Sequence, residues 1–179
     1  MKTRSKHLFS ATLTAILTAV AIILGRFFSI NVWNLSIGFS FVPIMLCGIL
    51  AGPIFGGICG ALADFLGAIL FPFGPFFPGF TLTAFIGGVL CGVIGITERK
   101  IKGNIRFCLA ASVIILLKET LCSVLLNSLW ISILYSSPFK EILISRIPLA
   151  SVVAVLEIIL ALVAKTSIIP ALNKERKHK

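Results

Sequence analysis

The stretch Ala63-Asp64-Phe65-Leu66-Gly67, followed by Phe71-Pro72-Phe73-Gly74-Pro75-Phe76-Phe77-Pro78-Gly79-Phe80, decides the fold of this chain. It sets an acidic residue inside an apolar helix and continues into an aromatic hairpin that three prolines stiffen. A carboxylate in a lipid-embedded segment is costly, so by default Asp64 marks a ligand, ion or proton site. The alternative is a structural carboxylate, either neutral or paired with Lys118. The hairpin is a candidate lid over a flat molecule.

The composition is that of an integral membrane protein. Hydrophobic residues make up 58% and charged residues 12% of the 179 residues, and the mean hydropathy is +1.11. No soluble domain of this length covers so much apolar surface with so few charges. We expect one all-α membrane domain over residues 1–179, a bundle of six transmembrane helices whose first is retained rather than cleaved. The predicted helices are about 8–25, 38–51, 54–71, 79–96, 107–134 and 142–164, the second short and the fifth long.

Basic residues mark one side of the predicted bundle. Twelve of the sixteen precede the first helix, separate the fourth from the fifth, or follow the sixth: Lys2, Arg4, Lys6, Arg99, Lys100, Lys102, Arg106, Lys165, Lys174, Arg176, Lys177 and Lys179. The positive-inside rule then places both termini in the cytoplasm. The formal charge of +10 therefore indicates a lipid bilayer as partner and not a nucleic acid.

Residues suited to catalysis or to cofactor binding are scarce. His7 and His178 lie at opposite ends and the five cysteines show no paired spacing, so we expect no metal, no cofactor and no catalytic residue. The chain has no G-x-x-x-x-G-K-[ST] loop for ATP hydrolysis. An intramembrane enzyme remains an alternative, with Asp64 and Glu119 as its only candidate residues.

Four polar or aromatic residues share one stripe of the fifth predicted helix. Glu119, Ser123, Asn127 and Trp130 are spaced by 4, 4 and 3 positions, which keeps them on one face. An acceptor, a hydroxyl, an amide and an indole suit a heteroaromatic ligand with both donors and acceptors. The alternatives are helix-to-helix hydrogen bonds for Ser123 and Asn127, and an interfacial position for Trp130.

Two arginines fall on the side where basic residues are disfavoured. Arg26 ends the first helix and Arg146 lies near the start of the sixth. Two guanidinium groups near the mouth of a pocket suit a ligand with carboxylates, and snorkelling at the membrane interface is the alternative. Glu157 lies deeper on the sixth helix, and we interpret it as structural or as a partner of Lys118.

Small residues recur every four positions on the first helix. Ala11, Ala15 and Ala19 form a stripe that permits close approach of another helix, within this protein or in a partner. Glycines are similarly frequent on the third and fourth helices, so their backbones are expected to pack closely.

Taken together, these features resemble the substrate-binding (S) components of energy-coupling factor (ECF) vitamin transporters, most closely the folate-specific branch. The resemblance covers nearly the whole chain and rests on the alanine stripe, Gly52-Pro53, Ala63-Asp64-x-x-Gly67 and Phe77-Pro78-Gly79-Phe80-Thr81-Leu82. It implies a high-affinity folate-binding subunit of the bacterial plasma membrane. It also implies that the first-helix alanines contact a transmembrane coupling (T) subunit, which rests on two cytoplasmic ATPases.

The resemblance further implies an outward-facing pocket formed by the last three helices and the loops after the first, third and fifth. Asp64 or Asn127 would read the pterin donors, with Glu119 as an undecided candidate, and Arg26 and Arg146 would meet the glutamate tail. Aromatic residues would stack on the rings or line the pocket: Phe73, Phe77, Phe80 and Trp130. Another flat metabolite, such as riboflavin, a queuosine precursor or pantothenate, is the alternative substrate, although these lack a dicarboxylate tail.

Overall fold

A computed structural model describes residues 2–32, 35–72, 74–101 and 103–170. Six helices dominate this part of the chain, as the sequence predicts. They are α1 Lys2–Arg26, α2 Phe41–Ala51, α3 Pro53–Leu70, α4 Pro78–Lys100, α5 Asn104–Tyr135 and α6 Phe139–Val163. Five of them are long and apolar enough to cross a membrane, whereas α2 has only 11 residues. Helix α1 begins earlier than the sequence suggested, and α6 begins three residues earlier.

A two-stranded antiparallel hairpin connects α1 to α2, where the sequence suggested only a loop. Strand β1 (Ser29–Val32) pairs with β2 (Leu35–Gly38), so that Ser29 lies opposite Gly38. The hairpin returns the chain to the end of α1, because a Cβ on Gly38 would lie 3.6 Å from the Cα of Gly25.

Helices α3 and α4 touch through their backbones, as the glycine-rich faces predict. A Cβ added to Gly88 would lie 2.1 Å from the carbonyl oxygen of Gly56, and one added to Gly92 would lie 2.2 Å from the Cα of Pro53. A side chain larger than hydrogen at either position would therefore force the two helices apart. This contact fixes α4, and the hairpin before it, against α3.

Helix α5 changes its winding in the middle. Regular α-helix over Asn104–Lys118 is followed by a π-helical segment, Glu119–Leu126, and then by α-helix again over Asn127–Tyr135. The N–H of Asn127 donates to the carbonyl of Cys122, the i to i−5 bond of a π turn. Such π segments are often found at functional sites, and this one begins with two buried charged residues, Lys118 and Glu119.

The apolar core occupies the end of the bundle that carries the α4–α5 turn. Its centre is formed by Met45, Ile94, Phe107 and Ile115, each at most 1% exposed. At the same end, Lys165 donates to the carbonyls of Ile101 and Gly103 at 3.3 and 3.2 Å, so part of the predicted basic side gathers there. Lys102 and the basic residues after position 170 lie outside the described residues.

Candidate ligand cavity

A large cavity opens at the end of the bundle opposite the core. Its volume is about 1210 Å³, somewhat above the range of about 300–1,000 Å³ that is usual for small-molecule sites. It is lined by α1, α3, α4, α5 and α6, by the start of α2, and by the loops after α3 and α5. Seven of the nine residues expected to bind a ligand line it: Arg26, Asp64, Phe77, Phe80, Glu119, Asn127 and Arg146.

The deepest polar group of the cavity is a buried cluster of three charged side chains. Lys118 forms an ion pair with Glu119 at 2.8 Å and a second one with Glu157 on α6. The side chains of Lys118 and Glu119 are each 9% exposed, and that of Glu157 is 0% exposed. With all three groups ionised, one lysine faces two carboxylates, so the cluster carries a net negative charge. Glu157 is thus a partner of Lys118, one of the two roles expected for it.

Two buried acceptor atoms of the cavity lining receive no hydrogen bond from the described part of the chain. They are Oε2 of Glu157 and Oδ1 of Asn127. A buried acceptor without a donor costs about 1–3 kcal/mol, and such groups in folded proteins call for an explanation. Both atoms are therefore candidate contacts for donors of a ligand.

Asp64 lies on the wall of the cavity and does not pair with Lys118. Its Oδ2 accepts a hydrogen bond from Thr81 Oγ1 at 2.7 Å, which ties α3 to the first turns of α4. Asp64 and the guanidinium of Arg26 also attract each other electrostatically. The predicted pairing of Asp64 with Lys118 was therefore wrong, because Lys118 pairs with Glu119 and Glu157 instead.

The two arginines line the cavity from different helices. Arg26 ends α1 and lies against α3, where a Cβ on Gly67 would be 2.8 Å from its Nε. Arg146 lies on α6 and donates to the carbonyl of Ser123 at 3.4 Å, on the π segment of α5. Both guanidinium groups therefore reach the same cavity from different helices.

Aromatic side chains cover one side of the cavity. Phe76, Phe77 and Phe80 contribute to its lining, whereas Phe73 lies outside the described residues. The Phe77 ring packs edge-on against Phe80 at 6.1 Å between centroids and in a tilted arrangement against Trp130 at 5.6 Å. The loop after α3 is therefore fixed to α5 through aromatic contacts.

Trp130 is not among the cavity-lining residues of the described chain. Its indole N–H donates to Thr83 Oγ1 at 2.9 Å, and a Cβ on Gly79 would lie 2.6 Å from its ring. Trp130 thus supports the start of α4 from behind. Its stacking on a ligand stays a prediction.

The alanine stripe of α1 faces away from the bundle. Ala11, Ala15 and Ala19 are exposed, whereas Thr14 and Thr18 on the adjacent face of the helix are each 5% exposed. Thr14 Oγ1 lies 3.5 Å from Cys47 Sγ on α2, which shows that the threonine face carries the internal contact. The stripe therefore does not pack within the described part of the chain.

Sequence reasoning did not place Lys118, Glu157, Tyr135 or Ser145 in the cavity, yet all four line it. Lys118 and Glu157 were recognisable as charged residues inside apolar segments, which is the general mark of a functional site in a membrane protein. Tyr135 and Ser145 carried no such signal. Among the described residues, no group of three or more histidine, cysteine or acidic residues is arranged to hold a metal ion.

Comparisons of the sequence with known proteins agree on one family. The sequence model of the family described as "ECF transporter, substrate-specific component" matches residues 9–164. A folate transporter FolT of Clostridium novyi (strain NT) is 36% identical over 133 residues, which are 74% of each chain. A folate transporter FolT of Leuconostoc mesenteroides is 28% identical over 69% of this chain and 63% of its own length.

A solved structure shares the fold. The crystal structure of FolT bound with folic acid superposes with a TM-score of 0.74 at 29% identity, covering 87% of this chain and 92% of that one. Since its relatives are bacterial and its helices are apolar, the protein is a multi-pass protein of the bacterial plasma membrane. The chain belongs to the family of ECF transporter substrate-specific components, and the relatives that it matches there are folate transporters.

Proposed function

We propose that this protein binds folate in the cavity and serves as the substrate-binding subunit of an ECF importer, without catalytic activity of its own. The observation that carries the proposal is the distribution of charge in the 1210 Å³ cavity. Two guanidinium groups line its walls, and the cluster of Lys118, Glu119 and Glu157, which has two carboxyl groups for one amine, lies at its floor. Folate has the matching distribution, with a donor-bearing ring at one end and a dicarboxylate tail at the other.

The cavity wall also suits flat rings. Phe76, Phe77 and Phe80 offer aromatic surface along one side, and each stacked ring contributes about 0.5–1.5 kcal/mol beyond the area that it buries. The FolT structure with folic acid provides a precedent for this ligand in this fold. Riboflavin and pantothenate lack a dicarboxylate for the two arginines, so folate is favoured over them.

The exposed alanine stripe supports a role in an assembly. Ala11, Ala15 and Ala19 offer a flat surface on α1 on which a partner helix is able to approach closely. We assign this surface to the T subunit, which would connect the protein to two cytoplasmic ATPases. The basic residues near the α4–α5 turn and Lys165 favour a cytoplasmic position for that end of the bundle, and hence an opening of the cavity to the outside.

Calorimetric titration of the detergent-purified protein with folate tests the proposal. We expect saturable binding, and absence of binding up to micromolar folate would overturn the proposal. Riboflavin and pantothenate serve as competing ligands in the same experiment, and preference for either would replace folate as the assigned substrate.

Arg26→Ala tests whether Arg26 contacts the glutamate tail of folate. We expect it to weaken folate binding by about 10- to 100-fold, because a charge-assisted hydrogen bond contributes about 1.5–3 kcal/mol. Pteroate, which lacks the glutamate tail, should lose much less affinity. The matched control is Lys140→Ala, which removes another cation that does not line the cavity. Equal losses for folate and pteroate would show that Arg26 does not meet the tail.

A further inference from the structure

The buried cluster at the cavity floor has features that ion pairing alone does not explain. Lys118 contacts Oε1 of Glu157 and Oε1 of Glu119, which leaves Oε2 of Glu157 buried and without a donor in the described chain. Glu157 is 0% exposed, yet it belongs to the cavity lining. An ionised carboxylate at this depth is stabilised most by a further hydrogen bond to its second oxygen.

The chemistry of the floor selects the kind of group that fits. Glu157 Oε2 and Asn127 Oδ1 are both acceptors, and the cluster of Lys118, Glu119 and Glu157 is net negative when ionised. A group with several N–H donors and no negative charge is complementary to this surface, whereas a carboxylate is repelled. Flavin rings expose a single N–H between two carbonyl oxygens, so they match the floor poorly.

We propose that Glu157 is the specificity-determining acceptor for a 2-amino-4-oxopyrimidine edge, the N–H and amino donors on one side of a pterin ring. Lys118 acts as a positioning residue, since it holds the carboxylates of Glu119 and Glu157 together. Oε1 of Glu157 keeps a second lone pair beside its bond to Lys118, so both carboxylate oxygens are able to receive ligand donors. This inference rests on the proposed function and names the group that reads the ring.

The placement of the arginines gives the orientation of the bound molecule. Arg146 precedes Glu157 by eleven positions on α6, which is roughly 16 Å along a helix axis. A ligand whose ring meets Glu157 therefore extends its acidic tail toward the arginines and the cavity mouth. The reverse orientation would bring the tail carboxylates against Glu119 and Glu157.

The same ring edge occurs in folate and in 7-deazaguanine bases, the ring system of queuosine precursors. The floor reads this shared chemistry and does not by itself separate the two sources. The tail-binding arginines separate them, because a free base has no carboxylate to engage Arg26 or Arg146. Both ligands therefore belong in the experiment.

The experiment is a double-mutant cycle between the protein and the ligand. Affinities of the wild type and of Glu157→Gln are measured by calorimetry for folate and for the analogue in which a methyl group replaces the 2-amino group. We expect Glu157→Gln to lose about 10- to 100-fold in folate affinity, and the wild type to lose a similar factor for the analogue. The two losses should not add, because both remove the same hydrogen bond.

Matched variants separate this role from a structural one. Glu98→Gln makes the same substitution on α4 at a residue that does not line the cavity, and it should change folate affinity by no more than about twofold. Glu157→Asp keeps the charge and should retain sensitivity to the 2-amino group even where Glu157→Gln folds poorly.

The outcomes are distinct. If the wild type binds folate and Glu157→Gln shows additive losses, or Glu157→Asp loses its sensitivity to the 2-amino group, the ring-reading role is overturned and folate binding stands. If the wild type rejects folate but binds a 7-deazaguanine base in a manner that depends on Glu157 and the 2-amino group, the proposed function fails and the floor assignment stands. Binding of neither ligand overturns both.

Discussion

Substitution of Gly88 by alanine should separate α3 from α4 and destabilise the protein. A Cβ at this position would lie 2.1 Å from the carbonyl oxygen of Gly56 and 2.6 Å from its carbonyl carbon. Both are backbone atoms of a helix, so neither moves aside as the end of a flexible side chain does. The helices must therefore move apart by roughly 1 Å, and a gap of this size forfeits a quarter to a half of the dispersion attraction between the atoms concerned.

The expected loss follows from two opposing effects. Overpacking of a tightly packed site costs about 1–3 kcal/mol, and the backbone contact puts Gly88→Ala at the upper end, near 3 kcal/mol. Replacement of a helical glycine by alanine returns about 1 kcal/mol of helix propensity. The net destabilisation is therefore about 2 kcal/mol, which lowers the midpoint of thermal unfolding by roughly 4–8 °C for a chain of this size.

The neighbouring Gly87 provides the control. A Cβ there meets only Cys122 Sγ at 3.9 Å, an ordinary contact, so Gly87→Ala keeps the propensity gain without the overlap. We expect Gly87→Ala to unfold at the wild-type temperature or up to about 4 °C above it. Thermal unfolding in detergent, followed by size-exclusion chromatography, measures both variants. Equal midpoints for the two variants would refute the close backbone contact of α3 and α4.

Two further substitutions test α1 and Trp130. Ala15→Leu should leave folate binding unchanged and abolish uptake by membranes that contain the T subunit and ATPases. Ile16→Phe, a bulky change at a neighbouring exposed position, should preserve both binding and uptake. Lost folate binding in Ala15→Leu would mean that the stripe packs internally. Trp130→Phe should cost about 1 kcal/mol of stability through the lost bond to Thr83 and change folate affinity by less than about threefold by calorimetry. Phenylalanine keeps a ring that is able to stack on a ligand, so a loss above tenfold would show instead that the indole N–H of Trp130 donates to the ligand.

The helices were accessible from the sequence because the bilayer imposes strong rules. Apolar runs of sufficient length must be helical in lipid, since each backbone N–H and C=O needs a partner within its own segment. The strand pair Ser29–Val32 and Leu35–Gly38 escaped prediction because a short strand pair outside the apolar segments is subject to no such rule. The π segment of α5 was equally hidden, because its residues are those of an ordinary apolar helix.

The candidate site was only partly accessible because side-chain partners depend on how helices rotate against one another. Asp64 and Lys118 were both recognisable as costly intramembrane charges, yet the sequence does not say which charges meet. In the structure Lys118 pairs with Glu157, 39 positions away on another helix, and Asp64 accepts a hydrogen bond from Thr81. Trp130 shares a stripe with Glu119 and Asn127 in the sequence, but its indole N–H donates to Thr83 on α4, a partner that the spacing does not reveal.

The contacts that stabilise the fold are separate from the buried charges that face the cavity. Close glycine contacts hold α3 and α4 together, and an apolar core fills the end near the α4–α5 turn, so stability has sources that do not involve Lys118, Glu119 or Glu157. A buried ion cluster adds little to stability, because the cost of removing its charges from water offsets their attraction, and apolar residues of similar volume often serve as well. The cluster faces the cavity and leaves one acceptor without a donor. The folded protein has already removed this acceptor from water. A ligand that supplies the missing donor therefore forms the hydrogen bond without a further desolvation cost for the acceptor, which favours tight and selective binding at the floor.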